Sequence, residues 1–589
     1  MREQRGFRPA TLIVAGAAAL LCVTFAVLTP GAANAIGTWT PPVSVSGTVP
    51  GASATPQVTT DPSGNTFAVW VQNANTSNST VDAAMRPAGS STWTSATVLS
   101  QTNVNAAGPA VVSDPHGNVT AIWYRGNAVE SATRPAGAGS VWGSVQTISP
   151  SAGNNPLITA SIVSDTNGNL SAAWQASAGA WNVIQVSSRP AGASSWSSPT
   201  TISLGGSGQD NDLASLAYSP SGDLMAVWQH YSGPNTSELQ TATRAAGSSS
   251  WSAITTIAPS LGNSFNLQLV FDPSGNATVL YTDANNQVAA VSLPAGSSTW
   301  TTPAVLTTGT DQNQASALVT DSHGMLTAAW NVVSPSSNPD RVMVQTATRP
   351  AGVTSAWTTP TTLTANSSGS ISMAPQLAVD PNGNVTCVWI NYVTSSIQSA
   401  AKPAGRTNWS PVVNVSSSAT YTPNSWRTPV TSDPNGMITA VWISTDNTVS
   451  SSTAAGLSIT PANQSLLGTV GVPLTGSNAF TANGFTSAVS YTVSPALPAG
   501  LVIDPSTGVI SGTPSVSQAA ASYVVSAQDS VGFVSTATVQ ITVGAASSTA
   551  SLAATGTDTL QPATAGAIAL ISGGLLLGAV SLRRRRSVS

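Results

Sequence analysis

Residues 113–123 read SDPHGNVTAIW, and the chain writes nearly the same phrase seven more times: DPSGNTFAVW from Asp61, DTNGNLSAAW from Asp165, SPSGDLMAVW from Ser219, DPSGNATVLY from Asp272, DSHGMLTAAW from Asp321, DPNGNVTCVW from Asp380 and DPNGMITAVW from Asp433. Asp-Pro-x-Gly fits a type I turn: Asp accepts backbone hydrogen bonds, Pro presets φ and Gly closes the turn. The segment after it alternates, with Val119, Ala121 and Trp123 on one face and Thr120 and Ile122 on the other. Both faces are largely apolar, as in a strand covered on both sides. Each phrase is therefore a hairpin, and its Asp is a turn residue before it is anything else.

From Asp61 to Asp433 the phrase recurs with a mean period of about 53 residues, a spacing that signals propellers or other arrays. A third segment ends in Pro-Ala-Gly, as in VESATRPAG from Val129, and a fourth opens on Trp: Trp93, Trp142, Trp196, Trp251, Trp300, Trp357 and Trp409. An eighth copy of that Trp segment, GTWTPPVSVS with Trp39, stands before the first hairpin, whereas the last unit ends near residue 456 without one. A ring closed by pairing its two ends uses such a spare strand, and a linear solenoid does not. The sequence thus predicts an all-β chain with an eight-bladed β-propeller over 37–456. These repeats resemble bacterial propeller repeats with a D-P-x-G-N hairpin.

Residues 493–532, VSPALPAGLVIDPSTGVISGTPSVSQAAASYVVSAQDSVG, resemble the Ig-like, cadherin-related domains of bacterial surface proteins. Alternating segments such as SYVVSAQ and ATVQITV independently indicate a small β-sandwich over 457–544. The resemblance implies calcium in some members. Here it offers only Asp504 and Asp529, so calcium is a weak expectation and no other cofactor is expected. Residues 545–551, AASSTAS, read as a linker.

The two ends read as targeting segments. Arg2, Arg5 and Arg8, an apolar run over 11–28 and small residues at Ala33 and Ala35 form a signal peptide over 1–35. At the other end, Leu552-Ala553-Ala554-Thr555-Gly556 precedes an apolar segment, 563–582, and Arg583 to Arg586. About twenty apolar residues suffice for a transmembrane helix, and the basic run marks its cytoplasmic end. That order, within 552–589, resembles the cell-wall sorting signals of Gram-positive bacteria in an actinobacterial variant. The resemblance implies that a sortase cuts between Thr555 and Gly556 and joins the chain to peptidoglycan. A single-pass membrane anchor is the alternative, and both place the bulk of the chain outside the cell.

Between residues 36 and 555 the chain has ten Lys plus Arg against nineteen Asp plus Glu, so nucleic acid is not expected as a partner. Two Glu and three His remain there, few for the acid, base or nucleophile roles of hydrolysis. His116 and His323 fall on turn tips. Arg86, Arg134, Arg189, Arg244 and Arg349 hold one equivalent position, where they are expected to face outward, stacked on Trp or solvated. The expectation is that the chain is not an enzyme.

If strands alternate in direction, the Asp-Pro-x-Gly and Pro-Ala-Gly turns share one end of the ring and the variable loops share the other. Binding usually resides in variable loops on a rigid scaffold. Tyr124, Arg125, Trp181, His230, Tyr231, Tyr392, Tyr421, Trp426 and Arg427 fall at that variable end. They are the candidate ligand-binding set, for a glycan or a surface protein. The resulting reading is a wall-anchored binding or adhesion protein. Its alternatives are a structural envelope protein without a ligand and a surface glycosidase or lyase.

Overall fold

The structure is a computed structural model. It describes residues 38–546 apart from 48–50, 75, 103, 151–159, 207–208, 234–235, 260, 262–266, 308–310, 335–340, 365–370, 417–426, 476–477 and 486. The signal peptide, sorting signal and apolar segment 563–582 therefore lie outside the described residues, as do Tyr421 and Trp426. Among the described residues no helix is long and apolar enough to cross a membrane.

Four-stranded antiparallel sheets occupy 54–98, 106–149, 161–201, 210–258, 268–305, 312–362 and 372–416, here sheets I to VII. Sheet VIII takes three strands from 430–454 and its fourth, Val43–Ser44, from the start of the chain. Val43 pairs with Ser451, and Trp39 bridges to Ala454. The first strand of every sheet touches the first strand of the next, and that of sheet VIII returns to that of sheet I. Eight sheets thus close a circuit in the manner of a β-propeller, with the two ends of the repeat region joined in one sheet.

In sheet II the strands are Ala106–Ser113, Val119–Arg125, Ala128–Arg134 and Gln146–Ser149. The second strands are buried on both faces, and Trp70, Trp123, Trp174, Trp228, Trp330, Trp389 and Trp442 upon them are at most 1% exposed. Each packs against the preceding sheet, as Trp123 does on Val69, Val81 and Ala83. Opposite such a Trp stands a side-chain acceptor, Glu130 for Trp123 and Gln398 for Trp389. Where Tyr281 replaces Trp, the opposite residue is Ala289. The fourth strands are short, and their Trp residues lie in the extended segments before them.

The hairpin tip shows why the phrase is repeated. Gly117 N–H donates to the Asp114 carbonyl at 3.0 Å, and Asp114 Oδ1 accepts from His116 N and Asn118 N. Asn118 Nδ2 donates to Asp114 Oδ2, and Asn118 Oδ1 accepts from Ala136 N of the Pro-Ala-Gly turn. One Asp and one Asn therefore knit both turns of a sheet together. The turn glycines have φ between 81° and 88°, and a Cβ on Gly117 would stand 3.3 Å from the Ala136 Cβ. Glycine is required there on conformational and steric grounds alike.

The equivalent arginines do not face outward as expected. Arg86, Arg134 and Arg349 are buried, and most hydrogen bonds of this set run to the preceding sheet, with Arg86 also donating to Thr66 of its own sheet. Arg349 donates to Ser292 and Thr278, Arg189 to Thr133 and Thr120, and Arg86 to Thr439 across the seam between sheets VIII and I. Stacking on the following Trp does occur, for example Arg189 on Trp196 at 5.4 Å. Burial lowers the pKa of Arg189 and Arg349, and a turn aspartate of the preceding sheet, Asp114 for Arg189 and Asp272 for Arg349, opposes that shift.

Beyond the ring, Val534–Gly544 runs parallel to Asn463–Thr469 and antiparallel to Gln518–Asp529, which also pairs with Val489–Ser494. Two short two-stranded sheets complete the unit around Tyr491, Tyr523, Val525, Val539 and Ile541. It docks on the turn end of sheets VII and VIII. Phe533 and Leu457 pack with Ala401, Ile438 and Ala454 beside Trp39, and the Val534 carbonyl accepts from Asn384 Nδ2 of sheet VII at 3.4 Å.

Candidate functional site

The turn end offers a cavity of about 520 Å³ around the axis, lined by the Asp-Pro steps of sheets I, II, VII and VIII and by Asp165 and Thr166 of sheet III. Its carboxylates are engaged by their own turns. Asp61, Asp114, Asp165 and Asp380 each accept two backbone N–H groups and an Asn amide. Asp433 accepts the two N–H groups but has Met437 where the others have Asn, and Arg86 of the next sheet supplies opposite charge. Asp380 is pushed up to about 6 by burial.

At the other end the loops between second and third strands range from two residues in sheet II to seven in sheet I. The structure divides the candidate residues there. Tyr124 is not a loop ring: it lies near the end of a buried strand, 3% exposed, in the core between sheets II and III, and burial raises its hydroxyl pKa. His230 is likewise buried, with Nδ1 3.0 Å from Asn211 Oδ1 and its pKa lowered by burial. Arg125 Nε donates to Glu130 Oε1 at 2.8 Å, the ion pair found among the described residues, and the other Glu130 oxygen accepts from Trp123 Nε1. Tyr392 is half-buried against the core of sheets VII and VIII. Arg427 is partly exposed, and burial lowers its pKa. These residues are spread round the ring and form no single site.

A contiguous group does form where sheets III and IV meet. Trp181, half-buried, closes the hairpin tip in which Ala178 N–H donates to the Trp181 carbonyl at 2.9 Å. A Cβ on Gly205 would stand 2.7 Å from Val183 Cγ1 and 3.2 Å from Trp181 Nε1, so only glycine lets that loop pass behind the indole. Asp210 Oδ1 accepts from Asn182 N at 2.8 Å, tying the strand start of sheet IV to the Trp181 hairpin. Fully buried Asn211 donates to the carbonyls of Asn182 and Leu204 while its Oδ1 meets His230. Asp210 is the cross-strand partner of half-exposed Tyr231, whose hydroxyl burial pushes up to about 12 with Asp212 and Asp210 adding to the shift. Asp210 and Asp212, two apart on one strand, share a face.

The sequence reading chose Trp181, His230 and Tyr231 but passed over Asp210, Asn211 and Asp212. Their signal was available: DNDLASLAY lacks the Pro of the equivalent GPAVVS and carries two carboxylates where the other first strands have none. In the Ig-like unit, Asp504 accepts from Ser506 and Thr507, and Asp529 from Val531, Gly532 and Phe533. Both carboxylates cap their own turns. No group of three His, Cys, Asp or Glu suited to a metal occurs among the described residues.

Residues 456–544 match the family described as "Putative Ig domain". The search of curated proteins found no match. Among solved structures the chain is similar to the polysaccharide lyase Uly1, at 9% identity over 68% of this chain and 89% of that one, with a TM-score of 0.40. It is also similar to an α-L-arabinanase from Penicillium chrysogenum complexed with arabinobiose, at 10% identity over 51% and 93%, TM-score 0.32. A third is a mutant of the NanB sialidase from Streptococcus pneumoniae, at 13% identity over 61% and 68%, TM-score 0.33. Likenesses of this size assign no activity or substrate. They do correct the expectation that the chain is not an enzyme. The structures it resembles are mostly named as enzymes.

Proposed function

We propose that the chain is a cell-surface protein that engages carbohydrate at the junction of sheets III and IV. One observation carries the reading: half-exposed Trp181 and Tyr231 stand beside Asp210 on a rigid buried support, at the end of the ring opposite the Ig-like unit. Aromatic faces stack on the apolar faces of sugar rings, and carboxylates accept from hydroxyls. The test is a glycan array probed with the full chain and with W181A/Y231A. Binding that the double variant loses, at unchanged melting temperature, supports the reading; binding it retains removes the site.

Glycan processing, by a glycosidase or lyase, is a second reading, favoured by the two carboxylates on one face beside a tyrosine. Release of shortened products from any bound glycan separates it from binding alone. The finer architecture belongs to the same proposal: an eight-bladed propeller with residues 1–35 removed and Thr555 joined by a sortase to peptidoglycan. Replacing Thr555 with Ala should move the protein from the wall to the membrane fraction, and unchanged wall attachment would refute the anchor.

A further inference from the structure

We infer that the Asp210 site takes neutral saccharides and turns away anionic ones, an inference that rests on the carbohydrate reading above. Charge is distributed unevenly over the ring. Of the ten Lys and Arg between residues 36 and 555, seven lie at or beside the turn end: the five equivalent arginines, Lys402 at the same position in sheet VII, and Arg406. Three belong to the loop end, Arg125, Arg341 and Arg427.

None of the three serves an anion at the junction of sheets III and IV. Arg125, on neighbouring sheet II, is held by Glu130. Arg341 opens the third strand of sheet VI, and Arg427 precedes the first strand of sheet VIII. The titratable groups at the junction itself are Asp210, Asp212, Glu238, Tyr231 and His230. Glu238 accepts from Gln240 at 2.6 Å and lies across the strand pair from His230. His230 is buried and its pKa lowered, so it adds no positive charge near neutral pH.

A sugar carboxylate would therefore meet like charge with no cation among the described residues to receive it, and like-charge juxtaposition is a strong means of rejecting a partner. A neutral sugar meets groups suited to it. Asp210 Oδ1 takes N–H groups from Asn182 and Asn211, and a carboxylate has about four acceptor positions. Hydroxyls can thus donate to Asp210 while the ring lies against Trp181 or Tyr231. Asp210 is the specificity-determining residue of this site.

The test is titration of the full chain with neutral probes, linear gluco- and manno-hexaose, and anionic probes, sialyllactose and oligogalacturonate. The expected result is neutral binding at least about tenfold tighter than anionic, weakened about tenfold by D210N. Added salt should leave neutral binding unchanged. Tighter binding of the anionic probes would overturn the inference while leaving the carbohydrate reading intact. Binding of neither class would overturn both. Should D210N lower the melting temperature, the salt series on the unaltered chain decides: neutral binding that falls as salt rises contradicts the assignment.

Discussion

The two ends of the ring are built from the same strands, yet they use their polar residues in opposite ways. At the turn end of sheet III an Asp, an Asn and an Arg commit their hydrogen bonds inside the fold, within a turn, between turns and across to the preceding sheet. At the loop end the residues depart from the repeat, and those of sheets III and IV assemble around a common point. The Ig-like unit covers part of the uniform end. Repetition here marks scaffold, and departure from repetition marks candidate function.

Phe533→Ala gives the largest expected effect. It empties a buried ring position between the two units, and truncating a buried Phe costs about 3 to 5 kcal/mol. Calorimetry should show one unfolding transition for the full chain and two for the variant. A single unchanged transition would mean that the turn end is not stabilised by its cover.

Asp114→Ala sharpens the contrast between the ends. It removes the hydrogen bonds from the N–H groups of His116 and Asn118 and from the Asn118 amide, at about 0.5 to 1.5 kcal/mol for each bond lost. Chemical denaturation should register that loss while glycan binding stays unchanged. A variant that kept its stability but lost binding would move the functional end to the turns.

The smallest effect is a pH slope. Lys402, the chain's one lysine, is fully buried, donates to the Arg406 carbonyl at 3.1 Å, and is pushed down to about 8 by burial, with Asp321 opposing. Its ordinary value is about 10.4, so between about 8 and 10.4 the unfolded chain binds more protons than the folded one. Its contribution to stability therefore rises with pH across that window, and burial of the charged form is a cost below it. Lys402→Met should remove this rise in melting temperature, and a persisting slope would assign it to another group.

Much of the scaffold was legible because its determinants are local. Asp-Pro-x-Gly writes a turn wherever it occurs, period-two alternation writes a strand, and the spare Trp39 segment announces a sheet shared by both ends of the repeat region. The site was legible only in part. Tyr124 and Trp181 look alike in sequence, an aromatic near a variable loop, but Tyr124 occupies the last buried position of a strand and Trp181 the tip of a hairpin. The direction of the arginines was misread for a similar reason: equivalence round a ring says nothing about whether a side chain turns outward or into the neighbouring sheet.

By itself, then, the sequence determined the repeat, its hairpins, its Trp-lined strands and the strand that closes sheet VIII, since these follow from turn chemistry and periodicity within some fifty residues. Tertiary structure alone decided the rest. It buried Arg86, Arg134 and Arg349 between sheets, seated Phe533 against sheets VII and VIII, and joined Asp210 to the Trp181 hairpin of another sheet. Each of these contacts links residues from different repeats or units, and what a side chain meets across such an interface is set by packing that no local pattern encodes.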